Sequence, residues 1–182
     1  MSRTYLALAD AFSDPECDRI IALSDGAPTE AGPLYGGSGR QVDRAQRDVR
    51  SSLVSRADAP WLFARLDALF AAAAVEFGLA VGPLSEVIQV LLYGEGGHFR
   101  MWHTDAGADS GERRLISMSV ELSDPADYEG GDLEVVPDLV GRARTLSRGG
   151  VHLFPSRALH RVTPVIRGER WALVAWTGAP ES

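Results

Sequence analysis

From Leu84 onward the chain is written in short apolar or alternating runs, each closed by Gly, Pro, Asp or Ser. The runs cover 85–93, 98–104, 114–122, 132–136, 143–147, 150–155, 159–165 and 170–177. Eight short strands at such spacing point to a sandwich or barrel of antiparallel sheets. Before Leu84 the pattern is helical. Ser13-Asp14-Pro15-Glu16 has the form of a capping box with Pro in the first turn, opening a helix to about Ser24. Asp58 is placed to cap a second helix, "APWLFARLDALFAAAAVEF". Its Leu62, Leu66, Leu69 and Phe70 share one face, and Gly78 ends it. Between the helices, "GAPTEAGPLYGGSGRQ" reads as a mobile loop rather than a regular element, with 26–40 a candidate lid. The expected fold class is α+β with a β core. One domain spans 1–182, with helical N-terminal support over 1–80 and a strand core over 84–178.

Charge narrows the function classes. The net charge is -7, and no basic run is longer than Arg113-Arg114. Tight, sequence-independent binding to nucleic acid or to an anionic membrane is therefore not expected. All 18 basic residues are Arg, so the choice of Arg at any one position carries little information. "MSRTYLALADAF" breaks its apolar run at Asp10, so no signal peptide or membrane helix is expected. Cys17 is alone and cannot form an intrachain disulfide. These readings place the chain in the cytoplasm, as a monomer or homodimer.

"HFRMWHTDAG" (98–107) carries the strongest chemical signal. Residues two apart on a strand share a face, so His103 and Asp105 can both point into a barrel, with Thr104 pointing away. A third ligand must come from elsewhere. His160, in "ALHRVTPVIRGER", lies on a late strand that an antiparallel barrel could bring beside the first. Two histidines and one carboxylate with open positions form the facial ligand set of non-haem Fe(II) oxygenases. On its own, His-x-Asp is usually an incidental pair on a strand.

Arg170 strengthens the case. In "RWALVAWTG" it alternates with Ala172, Val174 and Trp176, which makes it a cation on an otherwise apolar face. A buried guanidinium needs a partner, and no acid alternates beside it on that strand. A dicarboxylate ligand would supply one through a bidentate pair.

His103-x-Asp105, His160 and Arg170 together resemble the iron- and 2-oxoglutarate-binding set of the prolyl 4-hydroxylase-like dioxygenases. "SDPADYEGGDLEVV" (123–136) and "LFPSRALHRVTPVIRGER" (153–170) are similar to the bacterial PKHD-type branch of that family. The resemblance covers about Ser85 to Gly178 and is looser in the N-terminal part. It implies a double-stranded β-helix (a jelly roll, cupin-like), with Fe(II) held by His103, Asp105 and His160. It implies 2-oxoglutarate chelating the metal, with its far carboxylate on Arg170, and O2 as the other co-substrate; ascorbate is a candidate reductant. Tyr93, ten residues before His103, takes the place of a tyrosine that hydrogen-bonds the co-substrate. The implied reaction is hydroxylation of an aliphatic C–H bond, with release of succinate and CO2. Related halogenating enzymes replace the metal-binding carboxylate with a small residue, whereas this chain keeps Asp105.

The implied substrate is a prolyl or other amino acid, a peptide, or a small natural-product intermediate. The chain ends at Ser182, without the long C-terminal extension of the branch, which weighs against a large protein substrate. Loop 26–40 and "VDRAQRDVRSS" (42–52) are the expected substrate-contacting segments. Two alternatives compete: a zinc hydrolase using the same three ligands, and a non-catalytic metal- or 2-oxoglutarate-binding jelly-roll module. A nucleic-acid dealkylase is opposed by the acidic charge. Among the other residues, His98 and His152 read as satisfied core histidines, and Gly130-Gly131 as a turn or bulge. Arg100 and Trp102 read as structural, Trp176 as packing, and Cys17 as a helix residue without a role.

Overall fold

The computed structural model describes residues 4–25, 29–31, 45, 47–106, 114–136 and 146–180. The elements run β1 (Leu6–Leu8), α1 (Asp14–Ala22), β2 (Thr29–Ala31), β3 (Arg47–Asp48), β4 (Arg50–Val54) and α2 (Pro60–Phe77). The strand-rich part follows with β5 (Ile88–Tyr93), β6 (His98–His103), β7 (Arg114–Glu121), β8 (Glu129–Gly130) and β9 (Leu133–Val136). It ends with β10 (Val151–Pro155), β11 (Leu159–Val162), β12 (Val165–Arg167) and β13 (Arg170–Gly178).

Every strand pairing is antiparallel. A seven-stranded major sheet has the order β1-β10-β7-β13-β5-β4-β2. A four-stranded minor sheet, β3-β6-β11-β9, and the small β12-β8 pair complete the core. Alternation gives the major sheet two chemically distinct faces. Ile88, Val90, Ile116, Met118, Val120, Val151, Leu153, Leu173 and Ala175 pack with the two helices. Leu91, Tyr93 and Phe154 point the other way, into a second cluster with Leu133, Val135 and Val162 of the minor sheet. That second face also carries Ser117, Ser119, Glu121, His152 and Arg170, all buried. The site therefore lies between the sheets, on the side away from the helices.

The helices serve as backing. α1 begins at a complete capping box, Ser13 N–H to Glu16 at 2.8 Å and Glu16 N–H to Ser13 Oγ at 3.4 Å. α2 buries Leu62, Leu66 and Phe70 against the sheet, with Leu69 only partly buried. Fully burying each such side chain is worth about 1.5–3 kcal/mol. Its N-cap is Ala59, with no side-chain cap; Asp58 instead accepts from Ser55 N–H and Oγ. Gly78 closes α2 at φ 66, in the left-handed conformation that glycine adopts without penalty. No helix among the described residues is long and apolar enough to cross a membrane.

Four expectations change or fall partly outside the described residues. The N-terminal part is not only helical: β1, β2 and β4 extend the major sheet and β3 joins the minor one. Thr29–Ala31, expected within a loop, pairs as a strand with β4, whereas the rest of 26–40 lies outside the described residues. The run 159–165 is broken into β11 and β12, because Pro164 has no N–H to donate to a ladder. Of the expected strand 143–147, the first three residues lie outside the described ones, and Leu146 and Ser147 are in no strand.

Candidate active site

His103 and His160 stand directly opposite each other across the β6–β11 pair. Asp105 sits just past the end of β6. Its N–H and that of Ala106 both donate to the Ser156 carbonyl, at 2.9 and 3.0 Å, which fixes the chain where it leaves the strand. His103 Nε2 lies 3.9 Å from Asp105 Oδ1, and His160 Nε2 lies 3.4 Å from Oδ2. The three donor atoms fall within 4.8 Å of one another. Among the described residues, this is the one cluster of three His, Cys, Asp or Glu side chains compact enough for a metal ion.

The imidazoles are pre-oriented. His103 Nδ1 is 3.0 Å from the Met101 carbonyl, and His160 Nδ1 is 3.0 Å from the Ala158 carbonyl. A carbonyl only accepts, so each Nδ1 carries a proton and each Nε2 faces the cluster. Phe99 stacks on His103 with centroids 3.7 Å apart, and Phe154 tilts against His160 at 4.9 Å. Asp105 is held from the opposite sheet: Ser117 Oγ donates to Oδ2 at 2.6 Å and is itself 2.9 Å from Ser156 Oγ.

The charges follow from this packing. Burial alone would raise the Asp105 carboxyl, but His160, Ser117 and His103 outweigh it and hold it below the usual carboxylate range. Burial would lower His160, yet the adjacent Asp105 carboxylate raises it above its usual value. For His103, burial and the charge of His160 act together and lower it from 6.5 to about 4. Without metal, the Asp105 carboxylate favours the protonated form of His160, while His103 beside it is held toward its neutral form.

Arg170 closes the other end of the interior. It is 1% exposed and lies across from Tyr93 in the β13–β5 pair, with its guanidinium carbon 5.5 Å from the Tyr93 ring. Its own strand offers it no acid, as the alternation indicates, but it has a partner inside the protein before any ligand binds. Its Nε and Nη2 donate to Glu121 at 3.2 and 3.0 Å. The acid comes from the adjacent strand: Glu121 is register partner of Ala172, one diagonal step from Arg170. His152 Nε2 approaches the same carboxylate at 3.1 Å, and Tyr5 hydroxyl meets His152 Nδ1 at 2.7 Å. Burial would raise the Glu121 carboxyl, but Arg170 and His152 outweigh it and keep it ionised. Gly131, at φ 63, lies against the Arg170 stem. Tyr93 is 2% exposed, and among the described residues its hydroxyl has no hydrogen-bond partner.

Residues 88–178 match the model of the 2OG-Fe(II) oxygenase superfamily. The chain is also 32% identical over 177 residues to a PKHD-type hydroxylase of Synechococcus sp., covering 94% of this chain and 76% of that protein. This chain belongs to the 2OG-Fe(II) oxygenase superfamily. It is an oxygenase of the PKHD hydroxylase type, which sets aside the zinc hydrolase and the non-catalytic module. Its fold is shared with a Pseudomonas putida prolyl-4-hydroxylase at a TM-score of 0.72 and 22% identity, over 97% of this chain and 92% of that one. A Trichoplax adhaerens prolyl hydroxylase, solved with a peptide fragment of hypoxia inducible factor, matches at a TM-score of 0.74 and 16% identity, over 96% and 83%.

The structure thus gathers His103, Asp105 and His160 in one cluster and puts Arg170 beside Tyr93. Sequence reasoning missed Ser117, Ser156 and Glu121 in this oxygenase. Ser117, Ser119 and Glu121 alternate in "LISMSVE", a polar face on an otherwise apolar strand, which was the available signal. His98 is a satisfied core histidine, with Gly96 and Ala45 carbonyls as partners. His152 is buried and partnered, but its partner is the acid that holds Arg170. Gly130 and Gly131 both have positive φ, as their turn reading requires. Trp102 is exposed under the Arg161 guanidinium, and Trp176 is buried beneath that of Arg114.

Proposed function

We propose that His103, Asp105 and His160 bind Fe(II), that Arg170 and Tyr93 bind 2-oxoglutarate, and that the enzyme hydroxylates an aliphatic C–H bond of an amino-acid, peptide or small natural-product substrate. The observation that carries the reading is the donor set. Two imidazole Nε2 atoms, each with its tautomer fixed by a carbonyl, converge with an ionised carboxylate within 4.8 Å. This is the chemistry a six-coordinate Fe(II) needs on one face, leaving the other for small ligands.

Bound together, the metal and 2-oxoglutarate would supply the oxidation: O2 is reduced as the keto acid is decarboxylated to succinate and CO2, and one oxygen atom enters the substrate. The protein's own work is positional. Ser117 and the Ser156 carbonyl hold Asp105 in place, and Phe99 and Phe154 wall the histidines with apolar surface. Arg170 offers the end of its guanidinium not used by Glu121 to the far carboxylate of the co-substrate. The Tyr93 hydroxyl adds a donor on the same side.

A prolyl or peptide substrate is favoured by the family branch and by relatives that include a prolyl hydroxylase solved with a peptide. Met101, on the His103 side of β6 by alternation, is 38% exposed and offers apolar surface two residues from His103, suited to such a chain. The test is succinate formation under O2 across prolyl peptides, free amino acids and small cyclic amines, with mass spectrometry of the product. The reading expects succinate in step with a substrate that gains one oxygen atom, and neither product from His160→Ala. Equal succinate from that variant would overturn it.

A further inference from the structure

Glu121 is the feature of the interior that the proposed reaction does not use. It is 5% exposed, it faces the space between the sheets, and it occupies the Nε–Nη2 edge of the guanidinium assigned to the co-substrate. His152 Nε2 approaches the same carboxylate at 3.1 Å, on the Oε1 that Arg170 Nη2 also binds, so Glu121 is held in place twice. We propose that Glu121 is a built-in competitor for Arg170, setting how strongly the enzyme binds the distal carboxylate of its 2-oxo acid and how well it separates 2-oxoglutarate from 2-oxo acids lacking that group. The proposal rests on the role given to Arg170 above.

A buried guanidinium without a carboxylate is strongly disfavoured, and a ligand that supplied the missing carboxylate would gain that whole difference. Here Glu121 meets the need before any ligand arrives. Arg170 and Glu121 sum to zero charge, so a distal carboxylate brings a second anion to a site with one cation. The Tyr128 side chain also lies against the guanidinium, but the five N–H groups of Arg170 form a planar fork, so donors not used by Glu121 can still bind a carboxylate in two-pronged fashion. The incoming charge then stands only a few ångströms farther from the Glu121 carboxylate than from the guanidinium carbon. Because Coulomb energy falls as the inverse of distance, repulsion cancels about half of the attraction. Arg170 therefore keeps its geometric selectivity while losing much of its electrostatic pull.

The test is an anaerobic titration of the Fe(II)-loaded protein with 2-oxoglutarate and with 2-oxopentanoate, which has a methyl group in place of the distal carboxylate. The readout is the ratio of the two dissociation constants, which a purely structural role for Glu121 would leave unchanged or lower. In Glu121→Gln, which keeps shape and hydrogen-bonding capacity but loses the charge, preference for 2-oxoglutarate should rise about tenfold or more over wild type. An unchanged or smaller ratio would overturn the proposal and make Glu121 a support for Arg170. If Glu121→Gln does not fold, Glu121→Met, close in volume and uncharged, reads the same ratio. Arg170→Gln separates the two levels of the argument. Loss of the wild-type preference in that variant upholds the anchoring role, so an unchanged Glu121→Gln ratio then sinks only the competitor. A ratio untouched by Arg170→Gln overturns the anchor and the competitor with it.

Discussion

Ser117 Oγ donates to Asp105 Oδ2 at 2.6 Å, so a residue of the major sheet fixes the carboxylate that follows a strand of the minor sheet. The two sheets are thereby tied at the candidate metal cluster. The bond also restricts which carboxylate oxygen is free to turn toward a cation.

Ser117→Ala should leave the fold intact and weaken divalent-metal binding by about 10–100-fold, the usual cost of losing a hydrogen bond that orients a ligand. Competition against a chelator of known affinity measures it. Unaltered affinity would show that Asp105 is held well enough by the Ser156 carbonyl alone.

Metal binding should release a proton from His160 at and below pH 6.5, the ordinary imidazole value. The His160 proton is stabilised by Asp105, so its pKa is raised, and a cation must displace it. His103 stays neutral down to about 4 and contributes none there. Apparent affinity should thus fall as pH drops through the raised His160 value. The same shift stabilises the metal-free fold below the unfolded-state value of 6.5, and that contribution is lost as pH rises through the folded-state value. Calorimetry in two buffers of different ionisation enthalpy counts the protons. Binding without any release at pH 6.5 would contradict the raised His160 value.

Gly131→Ala should damage co-substrate binding more than metal binding. A Cβ there would meet Val165 at 2.9 Å and the Arg170 Cδ at 3.2 Å, at a φ of +63 that disfavours side chains. The strain costs on the order of 1 kcal/mol of stability, and the displaced Arg170 stem should raise the KM for 2-oxoglutarate several-fold. Thermal denaturation and a KM measurement check both. An unchanged KM would mean that the pocket absorbs the methyl group without moving Arg170.

Legibility varied along the chain for physical reasons. Strands such as Ile88–Tyr93 and Arg170–Gly178 carry enough alternation to be read locally, and both were. β2 and β3 are three and two residues long, and they exist only because β4 and β6 offer edges to pair with. Nothing local in their residues announces that. Asp58 has the chemistry of a cap, but Pro60 at the start of α2 and the bond to Ser55 place the helix one residue later. His103, Asp105 and His160 were legible because their chemistry is unusual and their spacing familiar. The partner of Arg170 was not, because it depends on the β7–β13 register, which links residues 49 positions apart.

The proposed function requires one cluster to hold the metal and the 2-oxo acid to join it there. An anaerobic Fe(II) titration followed by 2-oxoglutarate, watching for the visible charge-transfer band of a chelated keto acid, tests it most directly. The band should appear in the wild type only when both are present, and should be absent in Asp105→Ala and His160→Ala. No band in the wild type, or a band of full strength in either variant, would contradict the account.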